Sequence, residues 1–246
     1  MEKPWFIWND TDSRTMGVSL LEYPPVTRAA RWVPRATLPG RSGSLGIGEP
    51  IWLPVVRRVT MLLSPGCGMA ECFAWLQGRG KLVLGNEPDR VLTAVADAAL
   101  PLTPLPSGGW RGTVQFHCQP LKGQVPTEPP ITAALEVEAG EDPDTELRLY
   151  NPGDVASRPV LTVCGAGNVI LQLDGEDALE IAFPDEDAPT VTVDTDAQMA
   201  ATAAGESYAS RISGSYRALW LPKLESVITW TGDLTALSVA PRWRWL

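Results

Sequence analysis

The groups in this 246-residue chain that could do chemistry are few and scattered. A single histidine, His117, stands beside Cys118, so any general base, metal ligand or partner to a nucleophile would have to be that one imidazole. A zinc site would draw on Cys67, Cys72, His117 and Cys118, but the Cys-x4-Cys spacing is loose and adjacent residues of a strand point to opposite faces. Free, partly buried thiols at Cys67, Cys72, Cys118 and Cys164 are the expectation. Carboxylates cluster in "DGEDALE" (Asp174, Glu176, Asp177) and "PDEDAP" (Asp185, Glu186, Asp187). Glycosidic cleavage needs two acids held at a fixed separation across a cleft, whereas acidic turns between strands are ordinarily solvated. The glycine-rich "LPGRSGSLGIGEP", Leu38 to Pro50, lacks the Gly-Lys-Ser/Thr ending of a phosphate cradle, and no convincing helix follows it. There is also no Gly-x-Ser-x-Gly elbow. The chain therefore reads as a non-enzyme without cofactor or metal. The loop becomes a place where Gly40 and Gly43 permit tight backbone and Arg41 offers a charge to a neighbour.

The elements that hold these residues read as short strands between turns. Glycine (22) and proline (23) are abundant, and Val, Thr, Leu and Trp recur in short runs. "WFIW" is a strand entering the turn "NDTDS", and "GVSLLEYPPV" is a strand stopped by paired prolines. "RAARWVPRAT" is a strand interrupted by Pro34 on the way to the glycine loop. "PIWLPVVRRVTMLLSP", with Pro54 inside, suits an edge or bent strand. Met69, Cys72, Phe73 and Leu76 in "GMAECFAWLQGRG" predict one short helix stopped by Gly78. After "KLVLGNEPDR", Val91, Ala94, Val95 and Ala98 fit helical spacing, although the composition also permits a strand. "WRGTVQFHCQPL" alternates as a strand.

"KGQVPTEPP", Lys122 to Pro130, predicts a linker. Beyond it the short runs "TAALEVEA", "TELRLYN", "RPVLTVCG", "NVILQLD", "ALEIAF", "TVTVDT", "YASRIS", "RALWLP", "SVITWTG" and "ALSVAPRWRWL" predict a sandwich of antiparallel sheets. Charge divides at the same place. Residues 1–125 carry 13 Lys/Arg against 9 Asp/Glu, net +4, and residues 126–246 carry 7 against 20, net −13. Such asymmetry suggests two domains facing different neighbours, and the acidic half argues against a nucleic-acid partner. No apolar run reaches the roughly 18 residues of a membrane span, and the start lacks a secretory apolar core. The expectation is synthesis in a cytoplasm. Ten tryptophans suit sheet cores and protein interfaces more commonly than sugar platforms.

Taken in order, these motifs resemble the distal tail protein (Dit) family of long-tailed, siphovirus-type phages. The resemblance rests on the aromatic first strand, on Pro39, Gly40, Arg41 and Gly43, and on Trp75, Leu76 and Gly78 closing the helix. Pro88, Asp89 and Arg90 follow, then Phe116, Cys118 and Pro120. In the second half Asn151, Gly153, Pro159, Asp194 and the terminal "APRWRWL" fit, while Lys223 stands where the family often has a turn glycine. The resemblance implies a mainly β protein. Residues 1–125 would be a sandwich-like, ring-forming belt domain with one short helix, and residues 126–246 a galectin-like sandwich. The last strand, 236–246, either completes that sandwich or returns to the first domain. It implies a strand, not a helix, after Arg90. It further implies a homo-hexameric ring at the virion tail tip, made in the host bacterial cytoplasm. The ring would touch the major tail tube protein and the tail-associated hub protein, with receptor-binding or tape-measure proteins as further neighbours. Pro39, Gly40, Arg41, Gly43, Trp75, Leu76, Arg90, Arg242, Trp243 and Arg244 are the candidate subunit-interface residues. A carbohydrate-binding sandwich is the alternative reading.

Overall fold

Period-two burial between glycine and proline breaks decides almost every element of the chain. The computed structural model describes residues 3–37, 39–40, 42–47, 51–125, 129–133, 146–184 and 189–246. It is mainly β, and it divides into two compact units, residues through Val125 and residues from Pro126 to Trp245. Among the described residues no helix is long and apolar enough to cross a membrane.

The first unit runs β1 (Phe6–Trp8), β2 (Thr11–Asp12), β3 (Val18–Leu20), β4 (Arg31–Trp32), β5 (Arg35–Ala36), β6 (Leu45–Gly46), β7 (Ile51–Trp52) and β8 (Val55–Leu63). Helix α1 (Met69–Trp75), β9 (Gly78–Leu84), β10 (Glu87–Ala96), β11 (Leu102–Pro104) and β12 (Trp110–Gln124) follow. The main sheet is antiparallel in the order β2-β1-β9-β10-β12-β8-β3, with β11 also on β12. Alternate residues of neighbouring strands are buried together: Val59, Met61 and Leu63 of β8, Val114, Phe116 and Cys118 of β12, and Leu92, Ala94 and Ala96 of β10. Phe116 lies 5.0 Å from the Trp8 ring, and Phe6 stacks on Trp75 at 5.2 Å. Burying each such side chain contributes about 1.5–3 kcal/mol.

Two expectations for this half change. Pro54 lies just before β8 rather than inside it; β8 pairs with β12 along its whole length but with β3 only at Met61–Leu63, so among the described residues its first part has a strand on one side alone. The predicted linker starts later than Lys122, because β12 continues through Gln124. Lys122 is buried and its Nζ donates to Glu87 Oε1 at 2.6 Å, a partner without which the buried ammonium would be costly. The segment after Arg90 is a strand, as the family resemblance implies. Its helical spacing is overruled because β9 and β12 offer backbone partners on both sides.

The second unit holds β13 (Ile131–Thr132), β14 (Glu146–Asn151), β15 (Val160–Leu173), β16 (Glu176–Ala182), β17 (Val191–Asp194), β18 (Met199–Thr202), β19 (Ile212–Gly214), β20 (Leu224–Ala240) and β21 (Arg244–Trp245). Several predicted pieces fuse: "RPVLTVCG" with "NVILQLD" is the single strand β15, and "SVITWTG" with "ALSVA" is β20. The first halves of "RALWLP" and "YASRIS" instead lie in 3-10 turns at Tyr216–Leu219 and Ala209–Arg211, while Ile212 and Ser213 do belong to strand β19, and β18 was not anticipated. "TAALEVEA" lies outside the described residues apart from its first two. At Lys223 the turn is made without glycine, and Leu224 takes φ +76°.

β15 and β20 pair along most of their length, and each changes its outer partner midway. β15 passes from β17 to β16, and β20 from β14 to β13. The register breaks at Gly165 and between Ala166 and Ile170, opposite Gly232. Gly232 has φ +93°, and a Cβ there would sit 2.2 Å from the Asn168 carbonyl oxygen, so only glycine lets the two backbones cross. Leu161, Val163, Val169, Leu171, Ile228, Leu237 and Val239 from these two strands form the centre of the core. Gly232→Ala is therefore expected to destabilise the second unit by about 2 kcal/mol or more, read as a lower denaturation midpoint. An unchanged midpoint would show that the crossing tolerates a side chain.

Candidate functional site

The residues with chemical potential do not converge. Among the described residues no three His, Cys, Asp or Glu groups are placed to share a metal. His117 is exposed, 3.9 Å from an Asp97 carboxylate oxygen, while Cys118 on the opposite face is buried. Burial pushes the Cys72 and Cys118 thiols up to about 11, so both are protonated near neutrality. Asp174 is engaged structurally, its Oδ1 accepting from the Val227 N–H at 2.8 Å. The side chain of Asp177, and Asp185 to Asp187 as a whole, lie outside the described residues.

What the first unit builds instead is an arm, residues 24–54. β4 pairs with β7 (Arg31 with Trp52, Trp32 with Ile51) and β5 with β6 (Arg35 with Gly46, Ala36 with Leu45). Backbone bonds from Leu53 N to Ala30 O at 2.8 Å and from Ile47 N to Pro34 O at 2.7 Å join the two short ladders. At its turn, Gly40 (φ +79°) and Gly43 (φ +93°) take left-handed backbone that other residues resist. Arg41 between them lies outside the described residues.

A buried cation fixes the root of the arm. Arg57 sits on β8 in line with the inward residues Val59, Met61 and Leu63, where an apolar side chain would be expected. It is 3% exposed, and its guanidinium donates to the carbonyls of Pro25 (2.5 Å) and Thr27 (2.9 Å). The paired prolines at 24 and 25 bring no N–H groups, and the segment after them joins no strand until Arg31. The fork of Arg57 supplies the donors that a sheet neighbour otherwise would.

The arm's surface is unusual. Trp32, Leu45, Ile47, Ile51 and Leu53 are each 39–54% exposed. From Tyr23 to Gly48 there are four arginines (Arg28, Arg31, Arg35, Arg41) and no acid. Arg28 and Arg31 lie over the Trp52 ring at 5.3 and 5.8 Å. Two-stranded ribbons have marginal stability alone, and exposed apolar strands invite pairing with another chain. The sequence reading singled out the turn and missed the ribbon. The signal was there in a stretch bounded by prolines, rich in exposed apolar residues and free of acids from Tyr23 to Gly48.

The other candidate residues lie elsewhere. Trp75 donates its Nε1–H to Trp8 O at 3.1 Å and Leu76 is buried, so both tie α1 to the core. Arg90 pairs with Asp89 at 3.2 Å. In the second unit Trp243 is buried in the core, Arg242 pairs with Asp194 at 3.0 Å, and Arg244 meets Asp196 at 2.6 Å. Arg158 reaches the other Asp196 oxygen at 2.5 Å and lies 4.3 Å over the Trp220 ring, with Arg217 at 5.5 Å. Burial is the largest influence on the Asp196 carboxyl and acts to raise its pKa. The bonds from Arg158 and Arg244, with their charges, outweigh it and hold the group below its ordinary value.

No family model and no curated protein matches the sequence. Among solved structures, the chain is similar to the crystal structure of Dit (gp 19.1) of phage SPP1, with a TM-score of 0.72, 15% identity and 100% of each chain covered. That protein is described as a paradigm of the hub adsorption apparatus in phages that infect Gram-positive hosts. The chain shares its fold.

Two outcomes follow from the anchors. Replacing Arg57 with methionine should release the arm root, seen as faster limited proteolysis between residues 24 and 54 while the rest of the first unit stays protected; equal cleavage rates would remove Arg57 as the anchor. For Asp196, a lowered folded pKa means that its contribution to stability is complete above the ordinary carboxylate value and disappears as pH falls through the folded value. Melting of Asp196→Asn should accordingly decline less steeply than wild type below about pH 4, and parallel curves would contradict the ion-paired assignment.

Proposed function

We propose that the protein is a structural subunit of a phage tail tip, six copies closing a ring through the arm of the first unit. The arm carries this reading. It is an apolar, arginine-rich ribbon anchored by a buried cation, and its apolar side chains are exposed among the described residues. A heterologous contact between unlike patches of one chain closes a ring when the rotation permits. Among the described residues of the first unit, eight of ten exposed large apolar side chains fall between Leu21 and Val56. The other two, Met69 and Phe73, stand one turn apart on α1 beside Glu71. The arm of one copy, basic and aromatic, lies against that patch of the next, and Pro39, Gly40, Arg41 and Gly43 at its turn belong to the same contact.

Likeness of fold to a phage hub protein over the whole chain supports placing the ring at the virion tail tip, after synthesis in the host bacterial cytoplasm. One side of the ring meets the major tail tube protein and the other the tail-associated hub protein, with receptor-binding or tape-measure proteins as further neighbours. The second unit, net −13, and the first, net +4, offer different charges to their neighbours. The protein works by assembly, and the role asks for no catalytic group.

Negative-stain images of the purified chain, alone and on tails, should show six-fold rings. The double variant Trp32→Asp, Ile51→Asp should melt with the wild type yet sediment as a monomer, and Arg41→Glu should weaken the ring more than the fold. A wild-type protein monomeric in both settings, or intact rings in the double variant, would defeat the proposal.

A further inference from the structure

We infer that Cys67 and Cys72 are a dithiol that closes to a disulfide on exchange with a small-molecule disulfide, tying the first turn of α1 to the loop before it. Gly68 is the residue that opens α1, so Cys67 stands just before the opening and Cys72 is the fourth residue of the helix. Side chains at those two positions meet across a helix start, where an apolar pair commonly staples the incoming chain. Here both members of the staple are thiols, and they are side-chain hydrogen-bond partners. The backbone keeps them there. Cys67 N donates to Ser64 O, Cys72 N to Gly68 O and Ser64 N to Gly17 O, each at 3.0 Å. Gly68 itself gives α1 no side-chain cap.

The two thiols differ in access. Cys72 is 0% exposed, whereas Cys67 packs against the same core and remains partly exposed. Cys118, the other cysteine of the first unit, is 1% exposed, and its thiol donates to Phe116 O at 3.5 Å. A small-molecule disulfide such as oxidised glutathione therefore meets Cys67 first. Cys67 gives up its proton and attacks one glutathione sulfur, the glutathione S–S bond breaks, and one glutathione leaves as the protonated thiol. Cys72 then gives up its proton and attacks Cys67 Sγ, the mixed disulfide breaks, and the second glutathione leaves as a thiol. The protein loses two electrons and two protons, and the glutathione disulfide gains both. Burial raises both thiols above the ordinary cysteine value, so the exchange runs on excess oxidant rather than on an activated nucleophile.

The bond stands apart from the assembly reading. Under that reading it would form after release from a reducing cytoplasm and would stiffen the turn that presents Met69 and Phe73. Treating the folded full chain with excess oxidised glutathione, followed by unfolding, alkylation and tryptic mapping, tests it. Peptide 59–79, which holds both cysteines between Arg58 and Arg79, should lose the mass of two hydrogens and resist alkylation, while Cys118 stays alkylable. In Cys72→Ala the reaction should stop at one glutathione on Cys67, and in Cys67→Ala the Cys72 thiol should stay unmodified. Recovery of both wild-type thiols in alkylated form, a glutathione that persists on wild-type Cys67, or pairing of either cysteine with Cys118 overturns the dithiol and leaves the ring proposal standing. Closure of the bond in a protein that stays monomeric supports the dithiol and counts against the ring alone.

Discussion

A strand of fourteen or seventeen residues cannot stay flat, and the second unit depends on how its two longest strands bend together. Twist accumulates along β15 and β20 until each must exchange one outer neighbour for another. The bend is placed where Gly232 passes the Asn168 carbonyl closer than any side chain would allow. Everything outside that ladder is attached to it: β14 and β13 on one side, β17 and β16 on the other, and the core between. The first unit uses the same device more mildly: with β8 on one side, β12 passes on its other side from β11 at Trp110–Gly112 to β10 at residues 117–124.

Against this economy the arm is an exception, a ribbon that the first unit builds but does not cover. Its apolar residues are those that a core would take in, yet Trp32, Leu45, Ile47, Ile51 and Leu53 are exposed. The unit nevertheless fixes its root with a buried arginine on a core-facing position. A guanidinium needs several carbonyls to be stable there, and the proline-bounded segment at 24–30 supplies them at Pro25 and Thr27. Sequence pattern, anchoring and exposure thus agree that the ribbon's conformation matters even though its surface is unsatisfied.

The same contrast explains what could be read in advance. Period-two runs such as "VVRRVTMLL" and "WRGTVQFHC" announced their strands, and Met69, Cys72, Phe73 and Leu76 announced α1, because burial on one face is a local pattern. The fusion of four predicted strands into β15 and β20 was not legible, since glycine reads equally as a turn or as a bulge until the opposing backbone is known. The 3-10 turns at 209–211 and 216–219 were mistaken for strands for a similar reason: Tyr, Ile and Trp favour extended backbone, and tertiary contacts at Tyr208, Leu219 and Trp220 overrode that preference. Of the arm, composition pointed to the loop, but exposure is a property of the whole unit. Arg57 stands beside Arg58 in a strand, and spacing alone does not say that one of the two is buried.

The long ladder also orders events in time. Residue 160 finds its partner at residue 240, and residue 173 at residue 228, so the central pairing of the second unit cannot begin while its last strand is still being synthesised. Strands β1 to β12 of the first unit have no such wait, since all of them are made by Gln124. On the ribosome the arm and the strands up to β12 therefore emerge before the acidic half has its central pair. The net charge of −13 on that half opposes its early compaction.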